Sequence, residues 1–178
     1  MRSRTPTAAD RHKTTLNLLV SSVHPAEAGL QPALVDTLLD FGAAIDGLED
    51  DGSPLMTALA FGHVAAAEAL ARRGARIDNV IAAAALGRVD RVRSLLAGDG
   101  GVSPSLVDLY WLGLSSDPSS HVGRAFVWAC AYDRTAVVEL LLAHGVDPAA
   151  TDNHGMTGLD WATANGHVEV VELLTDRA

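Results

Sequence analysis

The sequence predicts an all-α solenoid of about five helix–turn–helix units carrying one helical insertion. Three observations predict it. A stretch near the C-terminus repeats itself at a fixed offset of 33 residues. Aromatic residues make up only 4% of the chain within a 48% hydrophobic content, so the apolar load is mostly Ala, Leu and Val, which suits closely packed helices. Apolar residues also recur at helical spacing, as in Val137, Leu140 and Leu141. At 178 residues and 20% charged, the chain can bury a sizeable core and falls outside the disordered class.

Residues 1–13 are basic, with no secretory apolar run after them, and are expected to form a flexible leader. The rest, 14–178, is expected to be one repeat domain. A divergent first unit spans 14–46, pairing a helix near 14–22 with one near 32–41. The second unit, 51–78, places Ser53 to cap its first helix, Pro54 in the first turn, Gly62 in the turn between helices and Gly74 at the end of the second helix. A degenerate unit occupies 79–97. Its Gly87 follows Gly62 by only 25 residues, so the connection between these two units is shortened.

The insertion, 98–124, has Gly- and Ser-rich flanks around an apolar centre, Leu106-Val107-Asp108-Leu109-Tyr110-Trp111-Leu112. Ser103 followed by Pro104 predicts a short helix there. The fourth unit, 125–150, and the terminal unit, 151–178, carry the clearest repeat. Phe126 aligns with Leu159, Trp128 with Trp161, Ala129 with Ala162, Asp133 with Gly166 and Arg134 with His167. The run Val137-Val138-Glu139-Leu140-Leu141 aligns with Val170-Val171-Glu172-Leu173-Leu174. One such unit cannot bury both its faces, so neighbours must stack.

This pattern resembles the ankyrin-repeat family. The resemblance rests on Asp51-Gly52-Ser53-Pro54-Leu55, Gly62-His63, Gly74-Ala75-Arg76-Ile77-Asp78, Asn153-His154-Gly155-Met156-Thr157 and Gly166-His167-Val168-Glu169-Val170-Val171. It covers most of the chain from Thr14 onward, apart from the insertion. The chain departs from the family pattern in four places. Met56, Val127 and Asp160 stand where the family has a histidine, Gly158 stands where it has a proline, the last helix has no turn beyond Leu173-Leu174, and the insertion separates the third and fourth units.

Composition and motifs exclude several function classes. The net charge of −9 and pI near 5.0 argue against nucleic-acid binding. No run approaches the roughly 20 apolar residues of a membrane-spanning helix. Cys130 is the single cysteine, which fits a reducing, cytoplasmic setting. Lys13 is the single lysine among 13 basic residues, an arginine bias that hints at a bacterial source. No histidine pair has metal-ligand spacing, and no nucleophile elbow, phosphate loop or dinucleotide fingerprint is present. No cofactor is expected, and the reading leans away from an enzyme. Arg72, Arg73, Arg76, Arg88, Arg91 and Arg93 cluster in sequence, and a solvated solenoid edge explains them better than a basic site.

The function expected is a non-catalytic protein–protein interaction module. The family resemblance places the position after the histidine slot on the concave groove, which implies an aromatic ledge of Trp128, Tyr132 and Trp161. Asn165 and the loop tip Asp152-Asn153-His154 complete the expected partner surface. The alternative is a small-molecule-binding protein or an isomerase- or cyclase-type enzyme. Its pocket would lie between the insertion and the concave face, lined by Tyr110, Trp111, Trp128, Tyr132 and Trp161, with Asp108, Asp117 and His121 as polar members. A homodimer through the C-terminal helix is a third expectation.

Overall fold

The computed structural model describes residues 14–98, 114 and 117–176. The expected leader and the apolar centre of the insertion, with Asp108, Tyr110 and Trp111, lie outside the described residues. The fold is all-α, built as a solenoid of repeated helix pairs: the described residues form eleven helices, and the one bridge pairs Thr151 with Thr157 across a tight loop. The chain divides into two compact units, 1–76 and 77–178.

The first unit begins with α1 (Thr15–Ser21), α2 (Val23–Glu27) and α3 (Gln31–Asp40), and continues with α4 (Ser53–Ala60) and α5 (Val64–Arg72). α1 packs on α3 and α4, and α5 packs on α3 and α4. This gives an inner layer, α1 and α4, and an outer layer, α3 and α5. Thr14 caps α1 by accepting the Asn17 N–H at 3.0 Å. Leu16, Val20, Val35, Leu55, Leu59 and Leu70 form the core, each 1% exposed or less. Burying each such side chain contributes roughly 1.5–3 kcal/mol. The short α2 was not foreseen in the sequence, and none of its residues is buried.

One expectation at the head of α4 needs correcting. Ser53 does not cap the helix. Gly52 does, in a left-handed conformation (φ 76°), and Ser53 is the first helical residue. The Ser53 N–H is held instead by the Asp51 carboxylate at 2.9 Å. The cap chemistry is therefore displaced two residues upstream, a shift that composition cannot reveal. Pro54 does sit in the first turn.

The second unit holds α6 (Val80–Ala85), α7 (Val89–Leu96), α8 (Pro118–Ala131), α9 (Thr135–Ala143), α10 (Gly158–Asn165) and α11 (Val168–Thr175). α8 packs between α6 and α10, and α9 contacts both α7 and α11. The inner helix α6 is six residues long and every one is buried. Four of them are Ala, which lets α8 approach closely. Asn79 caps α6 by accepting the Ala82 N–H at 2.8 Å. Phe126, Ile81, Val138 and Leu141 fill the core.

One device recurs at three of the helix pairs. The residue after the turn glycine, or after Asp133, donates to a carbonyl in the last turn of the preceding inner helix. His63 Nδ1 lies 2.7 Å from the Val20 carbonyl. Arg134 Nε donates to the Ala85 carbonyl at 2.8 Å, and His167 Nε2 lies 3.0 Å from the Ala131 carbonyl. Those carbonyls end their helices without an intrahelical partner and carry the negative pole of the helix. A ring N–H or a guanidinium is the donor such a terminus favours.

The turn itself demands a left-handed residue. Gly62, Gly87 and Gly166 supply it, with φ of 74°, 69° and 73°. In the fourth pair the same place is taken by Asp133, at φ 57°. Left-handed backbone is costly for a residue with a Cβ, less so for Asp than for most.

Candidate binding surface

The residues expected to form the partner surface lie on α8, α10 and the loop between α9 and α10. Trp128 and Tyr132 stand one helical turn apart on α8 and just beyond it. Their rings meet edge to face, with centroids 6.3 Å apart and planes at 84°. Both are half-buried. Burial pushes the Tyr132 phenol up to about 12, with Arg134 pulling weakly the other way. The phenol is therefore neutral across the physiological range.

Trp161 occupies the matching position on α10 and is also half-buried. Its indole Nε1 donates to Asp152 Oδ2 at 2.9 Å. Asp152 organises the whole loop, because Oδ1 also accepts the His154 N–H at 2.8 Å and the Met156 N–H at 3.0 Å. Partial burial works to raise the Asp152 pKa. The hydrogen bonds from Met156, Trp161 and His154 outweigh it and hold the carboxyl below its ordinary range. Asp152 is thus an internal strut as well as a loop-tip residue.

Two other expected contact residues are exposed but bond within the chain. Asn165 Nδ2 donates to the Ala131 carbonyl at 3.1 Å, the same carbonyl that His167 meets. Asn153 Oδ1 accepts from Arg124 at 2.9 Å. Burial pulls the Arg124 guanidinium below its ordinary value, opposed by the nearby Asp152 charge. His154 is exposed. Tyr110 and Trp111 belong to the segment outside the described residues.

α10 starts from a capping box. Thr157 Oγ1 accepts the Asp160 N–H at 3.1 Å, while Asp160 Oδ2 accepts the Thr157 N–H at 2.9 Å and its hydroxyl at 2.7 Å. Those bonds hold the Asp160 carboxyl below its ordinary range. Asp160 fills the family's histidine slot with this cap. Met56 and Val127, in the equivalent slots, are buried apolar side chains.

Beneath the surface, Cys130 is buried and its thiol is pushed up to about 12 by desolvation. A Cβ at Gly158 would come within 2.7 Å of the Cys130 sulfur and 3.1 Å of the Phe126 ring. The glycine in the family's proline position is therefore required by the thiol and ring packed against it.

The second unit also carries a groove of about 420 Å³, lined by Ser120, Gly123, Arg124, His144, Asp147 and Thr151 among others. None of Trp128, Tyr132 or Trp161 lines it. His121, considered above as a polar pocket residue, is 4% exposed and packed within α8. Among the described residues no group of three His, Cys, Asp or Glu is placed to hold a metal ion. No helix among them is long and apolar enough to cross a membrane.

The arginine cluster resolves largely into ion pairs. Arg73 meets Asp36 at 3.0 Å and Asp40 at 2.6 Å, and Arg76 meets Asp50 at 2.7 Å. Arg93 pairs with Asp90 at 2.9 Å, and Arg91 donates to the Ile77 carbonyl at 2.7 Å. These contacts fit a solvated edge better than an open basic site.

Sequence reasoning missed three features: the inward turn of Asp152, the Arg124–Asn153 contact, and the left-handed Asp133. Only the last had a visible signal, since Asp133 aligns with Gly166 at the repeat offset. A model of ankyrin repeats matches residues 126–175, the stretch that holds α8 from Phe126 through α11. A search of the curated proteins found no match to the chain. The internal repeat, the paired helices and the turn donors agree with that match, and residues 126–175 form an ankyrin-repeat stretch.

Proposed function

We propose that the chain is a non-catalytic interaction module that binds a protein partner through Trp128, Tyr132, Trp161 and the neighbouring loop tip. Ankyrin repeats generally mediate protein–protein interaction. The observation that carries the reading is the half-buried Trp128–Tyr132 pair, repeated in register by Trp161 one unit later. Rigid, partly exposed aromatic side chains are the groups most enriched where binding energy concentrates. Asn153, His154 and Asn165 supply polar edges to that surface, and Asp152 fixes the loop that presents them. A cytoplasmic location fits this reading, with one buried thiol that has no disulfide partner in the chain.

The test is a tryptophan-fluorescence titration of the full chain against source-cell extract, separated into protein and small-molecule pools. A saturable change with the protein pool, weakened about ten-fold or more in a Trp128→Ala/Trp161→Ala variant, is expected. The same variant-sensitive change with the small-molecule pool alone would replace this reading with a ligand-binding one.

A further inference from the structure

The partner's chemistry can be argued further, on the reading that this surface binds protein. Residues 125–178 carry eight carboxylate side chains against two arginines. The one arginine of that stretch within the described residues, Arg134, is turned onto the Ala85 carbonyl. The next cation upstream, Arg124, reaches Asn153. Cationic groups here serve the protein's own polar atoms, and the stretch as a whole carries an excess of formal negative charge.

The aromatic side chains are tuned the same way. Trp161 donates its Nε1–H to an ionised carboxylate, Asp152. Such a bond pushes electron density into the indole and strengthens the negative potential on its faces, the feature that attracts cations. Trp128 and Tyr132 meet edge to face, and both are only half-buried. Directly after Tyr132 stands Asp133, exposed and held at φ 57° where the equivalent positions of three other units have glycine. The turn dictates that conformation, but it does not dictate a carboxylate there in place of glycine.

We infer that the partner presents a basic segment, whose arginine or lysine side chains lie over Trp161 and the Trp128–Tyr132 pair and meet the carboxylate of Asp133. Arginine fits best, because its planar guanidinium can stack on an aromatic face and bond a carboxylate at once.

The experiment is isothermal titration calorimetry of the full chain with four short synthetic peptides, in which serine alternates with arginine, lysine, glutamate or leucine. The arginine peptide is expected to bind most tightly and to weaken as salt rises. Trp161→Leu is expected to reduce its affinity about three- to ten-fold. Asp133→Gly separates recognition from architecture. It relieves the left-handed strain, so the Tm is expected to rise by roughly 2–4 °C while arginine-peptide affinity falls about three-fold or more.

A rise in Tm with the arginine titration unmoved would overturn the assignment of Asp133, and the inference with it. Trp161-dependent binding of the glutamate or leucine peptide in place of the arginine peptide would also overturn the inference, yet leave the interaction-module reading standing. No response to any peptide would overturn it as well.

Discussion

Gly158 and Cys130 pose the sharpest problem at the scale of single residues. A methyl group at 158 has to enter space already filled by a buried sulfur, 2.7 Å away, in a well-packed layer. Overpacking of this kind costs about 1–3 kcal/mol. Gly158→Ala is therefore expected to destabilise the chain by that amount in urea denaturation. Cys130→Ala should restore much of it in the double variant, although it opens a small cavity alone. An additive pair of effects would show that the two side chains do not compete. The same burial makes a second prediction. With its thiol pushed up to about 12, Cys130 is protonated at neutral pH and sheltered. A colourless-to-yellow thiol reagent at pH 8 should leave the folded chain unlabelled and label it fully in urea. Asp133→Gly completes this scale, with an expected stabilisation of about 0.5–1 kcal/mol from the relief of left-handed strain.

At the scale of elements, the start of α10 depends on two carboxylates held ionised by their hydrogen bonds. Asp160 closes the capping box and Asp152 closes the loop before it. Both folded-state pKa values lie below the ordinary value near 4. Their contribution is thus complete above the unfolded value and is lost as pH falls through the folded ones. The emission of Trp161, read as the difference between the wild type and Trp161→Phe, should shift as pH drops below about 4. It should hold steady between neutrality and pH 5. Thr157→Ala removes the hydroxyl side of the box and is expected to cost about 1 kcal/mol. Much of this element was legible in advance. Its closing turn followed from the repeat offset, which sets Gly166 against Asp133. The head of α4 was not legible in the same way. Ser53 looks like a cap, but Gly52 takes that position, because the preceding loop places the Asp51 carboxylate over the first helical N–H. The inward turn of Asp152 was hidden for a related reason. Its partner, Trp161, is nine residues away, and only the folded loop brings the two within hydrogen-bond reach.

At the scale of the whole molecule, each compact unit has its own layered core, so damage should stay near its source. Leu70 and Leu141 are fully buried, one in each unit. Truncation of either to alanine is expected to cost about 2–5 kcal/mol. Hydrogen exchange followed by mass spectrometry should rise first in α3, α4 and α5 for Leu70→Ala, and in α7, α9 and α11 for Leu141→Ala. Equal acceleration everywhere would mean one cooperative block. The repeat offset made the helix pairing legible because the fourth and terminal units reproduce the same three things: a left-handed turn residue, a donor after it, and an apolar stripe on the second helix. What the offset conceals is the identity of the acceptor. Val20, Ala85 and Ala131 share no side-chain signature, since only their backbone carbonyls take part.

The crowded contact between Gly158 and Cys130 also constrains how this chain can change over generations. A proline at 158 and a small residue at 130 would form a compatible pair once the Phe126 ring, 3.1 Å from a Cβ at 158, gave way by a few tenths of an ångström. The two routes between those pairs are not equivalent. Shrinking residue 130 first passes through a loosened but folded intermediate, whereas introducing the proline first drives a ring into an occupied core. The order of substitution is thereby biased, and the history of one site is written into the tolerance of the other.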